Sequence, residues 1–187
     1  MRRDQNGRIY RLTVGGLLLA IGIVIPRMFH LFATPEIGKV LLPMHISVFI
    51  AGIYIGAFYG ALIGFATPLI NSLFGLPIFP FNLIMAIELA AYGLFAGLFM
   101  YILQKIMVKR IRKTIRIYIS LILSMVFGRI IYAIVLFIML KVFVMDVPGP
   151  ISVITSAITG VPGIIIQLIL VPAIVSILNF SQERYLG

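Results

Sequence analysis

Cysteine is absent from all 187 residues, carboxylates number only five, and histidines only two. Without cysteine there is no disulfide framework, no thiolate metal site and no cysteine nucleophile. Asp4, Glu36, Asp146 and Glu183 fall outside the long apolar runs, so Glu88 is the one carboxylate embedded in such a run. A lone carboxylate supplies no acid–base pair, and His30 and His45 have neither metal-ligand spacing nor an acidic pair beside them. Gly-x-Ser-x-Gly is missing, and so is any phosphate-binding loop. These absences argue against an enzyme, a metal site and a bound cofactor. They exclude ATP hydrolysis by this chain itself, so uphill transport would draw its energy from a partner or an ion gradient.

What fills the sequence instead is hydrocarbon. Hydrophobic residues make up 62% and charged residues 11%, with a mean hydropathy of +1.19, far above the roughly half-apolar make-up of soluble domains. A water-soluble fold could not bury that much apolar surface. Outer-membrane barrels alternate apolar and polar residues over segments of about 10, whereas these runs last about 20 without interruption. The expectation is an all-α membrane protein, a compact bundle of six transmembrane helices forming one membrane domain over 1–187. The spans fall near 10–32, 43–57, 59–77, 80–104, 117–142 and 151–178. No charge separates the second from the third, yet a single helix from Val40 to Phe79 would be about 60 Å long, twice the hydrocarbon core. A tight turn is therefore expected near Ala57-Phe58-Tyr59. The N-terminus is basic and then apolar, like a signal peptide, but no clear small-x-small cleavage site follows, and the segment reads as a retained first helix.

The net charge of +10 does not point to nucleic acid, because most of the cations cluster beside apolar spans, where lipid headgroups are the nearer partner. Counted on alternate sides, one set holds Arg2, Arg3, Arg8, Arg11, Lys105, Lys109, Arg110, Arg112, Lys113, Arg116 and Arg184; the other holds Arg27, Lys39 and Lys141. The richer set belongs in the cytoplasm, which gives an N-in, C-in topology. Gly52, Gly56, Gly60 and Gly64 recur every four residues, as do the pairs Gly93/Gly97 and Gly16/Ala20. Such spacing lets helix backbones approach closely in lipid. Pro68, Pro162 and Pro172 lie within spans and are expected to kink or open them.

Ionised groups inside a span are costly and face a partner, water or a solute. Glu88 and Arg129 lie at comparable depth on consecutive, antiparallel spans, so the two can meet. Two readings stay open: a structural ion pair, or a site for a polar solute. His45, Asn71, Asn82, Tyr92, Tyr132 and Gln167 fall in the same outer half, Gln167 five residues from each of Pro162 and Pro172. Each alone bridges helices as readily as it holds a ligand. Together with Glu88 and Arg129 they form the candidate solute-binding set. Arg27 and His30, near the outer end of the first span, read as interfacial anchors.

The run Leu42-Pro43-Met44-His45-Ile46-Ser47-Val48-Phe49-Ile50-Ala51-Gly52, with Gly56-Ala57-Phe58-Tyr59-Gly60-Ala61-Leu62-Ile63-Gly64 and Glu88-Leu89-Ala90-Ala91-Tyr92-Gly93-Leu94-Phe95-Ala96-Gly97, resembles the substrate-binding S components of energy-coupling factor (ECF) transporters. The resemblance implies a vitamin-binding subunit in the bacterial cytoplasmic membrane. It would work with a transmembrane T component and two cytoplasmic ATPases, bind solute near the outer face, and deliver it by toppling of the whole subunit. It also implies docking to the T component through the first three helices. The family's Ala-xxx-Ala on the first helix is replaced here by Gly16 and Ala20. The substrate could be any of several vitamins or precursors; Arg129 would suit a carboxylate-bearing one unless Glu88 already pairs with it. Two other readings compete. A self-sufficient secondary transporter or channel would show repeated halves, which are not evident. An intramembrane enzyme would need the catalytic pair that is missing.

Overall fold

A computed structural model describes residues 2–32, 42–106, 112–144 and 147–186, with side chains for 7–28, 42–106, 112–144 and 147–180. Among them the only regular structure is helical: α1 (Arg2–Phe32), α2 (Pro43–Ile55), α3 (Ala57–Ser72), α4 (Phe81–Ile106), α5 (Lys113–Lys141), α6 (Ser152–Thr159) and α7 (Val161–Leu186). Residues 33–39, Lys109, Arg110, Asp146 and the His30 side chain, all used in the sequence reading, lie outside the described residues.

Four stretches, Gly7–Met28, Phe81–Ile106, Lys113–Lys141 and Val161–Phe180, are long and apolar enough to cross a membrane. This establishes the all-helical membrane class, but six full spans were expected. The other two expected spans are the 13-residue α2 and the 16-residue α3, which rise only about 20 Å and 24 Å. They are joined by a one-residue turn at Gly56, whose φ of 117° is a conformation that side-chain-bearing residues avoid. The turn sits one residue before the expected position.

Glycines set the packing of this hairpin against α4. A Cβ placed on Gly93 would overlap the Gly60 backbone, one on Gly64 the Leu89 carbonyl, and one on Gly97 the backbone of Ala57. Three helices thus touch main chain to main chain along one seam, where dispersion between close backbones replaces the hydrophobic drive that lipid cannot supply. The contacts also fix direction: α4 runs antiparallel to α3 and parallel to α2. α1 lies beside the hairpin, its Tyr10 hydroxyl 2.5 Å from that of Tyr54 at one end and its Arg27 donating to the Asn71 carbonyl at the other. The core behind the seam is carbon-filled, with Val48, Phe49, Ala51, Leu89, Ala96, Leu121, Val171 and Val175 fully buried. Leu12, Leu17 and Val24 of α1, Ile122, Val126 and Ile130 of α5, and Ile165 and Ile169 of α7 remain exposed, as lipid-facing residues must be. Arg8, Arg11, Lys105, Arg112, Lys113 and Arg116 gather at the Tyr10 end of the bundle, opposite Arg27 and Lys141.

The expected final span is in fact two helices. α6 ends at Thr159, with Gly160 as its C-cap, and α7 begins at Val161. Pro162 therefore stands in the first turn of α7, where its missing N–H is no loss, rather than kinking a continuous helix. Pro68 and Pro172 do lie within α3 and α7.

Candidate functional site

Two cavities open around the Arg27 end of α2. An outer chamber of about 680 Å³ lies among the α3–α4 connection, the start of α4 and α6. A second, of about 750 Å³, reaches sideways between α5 and α7. Leu42, His45 and Arg129 line both.

The local backbone explains why these residues meet. Leu42 precedes Pro43, which bars it from the right-handed helical region, and it adopts φ 49° and ψ 49° as the N-cap of α2. Its carbonyl accepts from the backbone N–H of His45 at 3.1 Å and from Gln167 Nε2 of α7 at 3.4 Å. A non-glycine residue held left-handed is uncommon and collects at functional sites. One helical turn on, His45 is 5% exposed, and neither of its ring nitrogens makes a hydrogen bond of good geometry, the Leu42 carbonyl being the one backbone acceptor that reaches the ring. Its ring lies 5.3 Å from that of Tyr92 and 6.5 Å from that of Phe49. A buried imidazole whose donor and acceptor are not well paired costs free energy until something pairs with it.

Below it sits the expected charge pair. Arg129 Nη1 donates to Glu88 Oε1 at 3.2 Å, and the Tyr92 hydroxyl donates to the same oxygen at 3.0 Å. Glu88 is buried, while the Arg129 side chain keeps 19% of its surface exposed. Its guanidinium also lies 5.9 Å from the centre of the Tyr132 ring. Gly128 makes this geometry available, because a Cβ there would collide with the Tyr92 ring. The ring lies against Gly128 of α5 and carries its hydroxyl to Glu88.

Of the candidate residues, Glu88, Arg129, Tyr132, His45, Tyr92 and Gln167 come together around the two cavities. Asn71 and Asn82 do not. Asn71 donates to the carbonyls of Gly22 and Thr67, tying α3 to α1. Asn82 opens α4 and donates to Ser72 Oγ, tying α4 to α3. Both satisfy backbone groups at helix junctions, the ordinary work of a buried amide in lipid. Arg27 stacks over the Phe74 ring at 4.4 Å, outside both cavity walls. Leu42, Phe49, Ser156 and Thr159 line the cavities but were not singled out from the sequence. Phe49 follows His45 by four residues and so shares its helix face; the placement of Leu42 before a proline was the other available signal. On α1, Gly16 and Ala20 are both exposed, with nothing within 4 Å of where a Gly16 Cβ would stand.

The glycine seam and the pocket residues His45, Glu88 and Tyr92 fall in the three segments whose resemblance to S components was quoted, while Arg129, Tyr132 and Gln167 lie beyond them. The family model described as the substrate-specific component of ECF transporters matches residues 10–175, which takes in every pocket residue. No curated protein and no solved structure matches the chain. With nearly the whole bundle covered, the chain belongs to the ECF transporter substrate-specific component family and is a substrate-binding membrane subunit.

Proposed function

We propose that this subunit captures a vitamin or vitamin-like micronutrient at the outer face of a bacterial cytoplasmic membrane. A transmembrane T component and two cytoplasmic ATPase subunits then drive its uptake. His45 carries this reading: a nine-tenths-buried imidazole with no well-formed hydrogen bond to the protein, at the junction of two cavities, is a group waiting for a ligand. α2 and α3 complete six crossings, with the Arg-rich end of the bundle and both termini in the cytoplasm. Gly16 and Ala20, exposed on α1, form the flat strip on which the T component packs.

A native mass spectrum of the gently purified subunit tests the binding role. A bound small molecule is expected on the wild type and absent from His45→Phe at equal fold stability; retention by the variant would remove His45 from the site. Orientation is tested by labelling, since the native chain has no cysteine to interfere. An impermeant thiol reagent on intact cells should modify Val147→Cys and spare Lys105→Cys, and the reverse pattern would invert the topology.

A further inference from the structure

The two cavities differ in chemistry. The outer chamber presents Glu88, Tyr132, Ser156 and Thr159, whereas the lateral lobe, apart from His45, Tyr92, Arg129 and Gln167, is walled by carbon, with Phe49, Ile122, Val126 and Ile164 among its lining. Ile122 and Val126 are half exposed on the outer surface of α5, so the lobe reaches the lipid-facing side of the bundle. Among the described residues, the acidic and basic side chains at this depth are Glu88 and Arg129, which pair with each other at 3.2 Å. A solute carrying net charge would enter without a counter-ion, at a large desolvation cost. An uncharged solute with a hydrogen-bonding group at one end would meet a ring nitrogen of His45, whose two nitrogens point to opposite sides of the ring. From this juxtaposition we infer that the site takes an uncharged, two-part solute. Its apolar ring or chain fills the lateral lobe, and its polar end makes a hydrogen bond to one nitrogen of His45, which lines both cavities.

This rests on the binding role proposed above for His45, but it adds a substrate class that the role does not require. It also removes the attraction that Arg129 would have offered to a carboxylate-bearing solute, because the guanidinium is already paired. The lobe's length supports a sizeable apolar part: Ile122 lies two helical turns, about 10 Å, deeper than Arg129.

Two isosteric probes separate the alternatives: 2-naphthamide, uncharged with a donor and an acceptor on one edge, and 2-naphthoate, its anion. The chain has no tryptophan, so naphthalene emission is read without that overlap. Binding is measured to the full chain in lipid nanodiscs with the signal of empty discs subtracted. The amide should bind saturably and the anion at least about tenfold more weakly. Ile164→Phe and, independently, Val126→Phe should weaken the amide roughly tenfold by filling the lobe, and His45→Phe by a similar factor. Unchanged melting temperatures establish that the variants are folded. Equal or tighter binding of the naphthoate, still weakened by Ile164→Phe, would overturn the uncharged class while leaving the site where it is. Saturable binding indifferent to all three substitutions would overturn both the class and the binding role of His45. Absence of saturable binding by either probe, with a bound solute still present in the mass spectrum, would overturn the class alone.

Discussion

The α2–α3–α4 seam and the α5–α7 cleft are built on opposite rules. In the seam, Gly60, Gly64, Gly93 and Gly97 remove every side chain from between the helices, and main chain meets main chain. Across the cleft, α5 and α7 carry full-sized Ile, Val, Met and Leu yet leave about 750 Å³ between them. Close packing in lipid needs small residues, and large apolar side chains have no incentive to leave lipid for one another. The same membrane thus yields a rigid frame where residues are small and an opening where they are large. His45 stands on the frame and faces the opening.

The sharpest way to break this contrast is to put a side chain into the seam. Gly93→Leu should destabilise the folded subunit by about 3 kcal/mol or more, because the new atoms meet backbone that cannot yield. Val126→Ala in the cleft should change stability by no more than about 0.5 kcal/mol. Thermal unfolding in one detergent compares the two, and similar melting temperatures would mean that the seam is no more tightly built than the cleft.

Next in size is the charge pair that bridges the frame to α5. Arg129→Met alone should cost about 1–3 kcal/mol by stranding a buried carboxylate, less than for a fully enclosed pair because the arginine keeps some exposure. Adding Glu88→Gln should recover most of that loss. A double variant as unstable as the single one would show that the two residues act separately.

The smallest effect on stability belongs to the outer face of α1. Gly16→Leu and Ala20→Leu should shift unfolding by no more than about 0.5 kcal/mol, since neither residue packs internally, and should leave solute binding intact. Copurification with the T component and ATPases should fall sharply. Parallel loss of stability and assembly would place the pair inside the frame instead.

Much of this arrangement was legible in the sequence. The long spans of α1, α4 and α5 follow from uninterrupted apolar runs, and the meeting of Glu88 with Arg129 from the cost of charge at that depth. The turn between α2 and α3 was located only to within a residue. Gly56 belongs to a regular series of four glycines, and nothing in the spacing says which one adopts positive φ while the others pack. The division of the last span at Gly160 was hidden for a related reason: Pro162 opens a helix as readily as it bends one, and only tertiary contacts decide. Asn71 and Asn82 share depth and polarity with Gln167, but depth does not reveal azimuth, and their faces turn toward helix junctions rather than toward a cavity. The lateral lobe is a property of two surfaces that do not meet, which no single segment encodes.

The break at Gly160 leaves α6 as eight residues with Val153 as their one buried side chain. So short a helix cannot sustain itself, and little of it is held by neighbours. In hydrogen-exchange terms it is a separate opening unit: its amides should exchange well before those of α4, and fastest when the outer chamber is empty. Because Ser156 and Thr159 line that chamber, an occupant would slow the exchange of this one segment, making α6 a local reporter of whether the subunit is loaded.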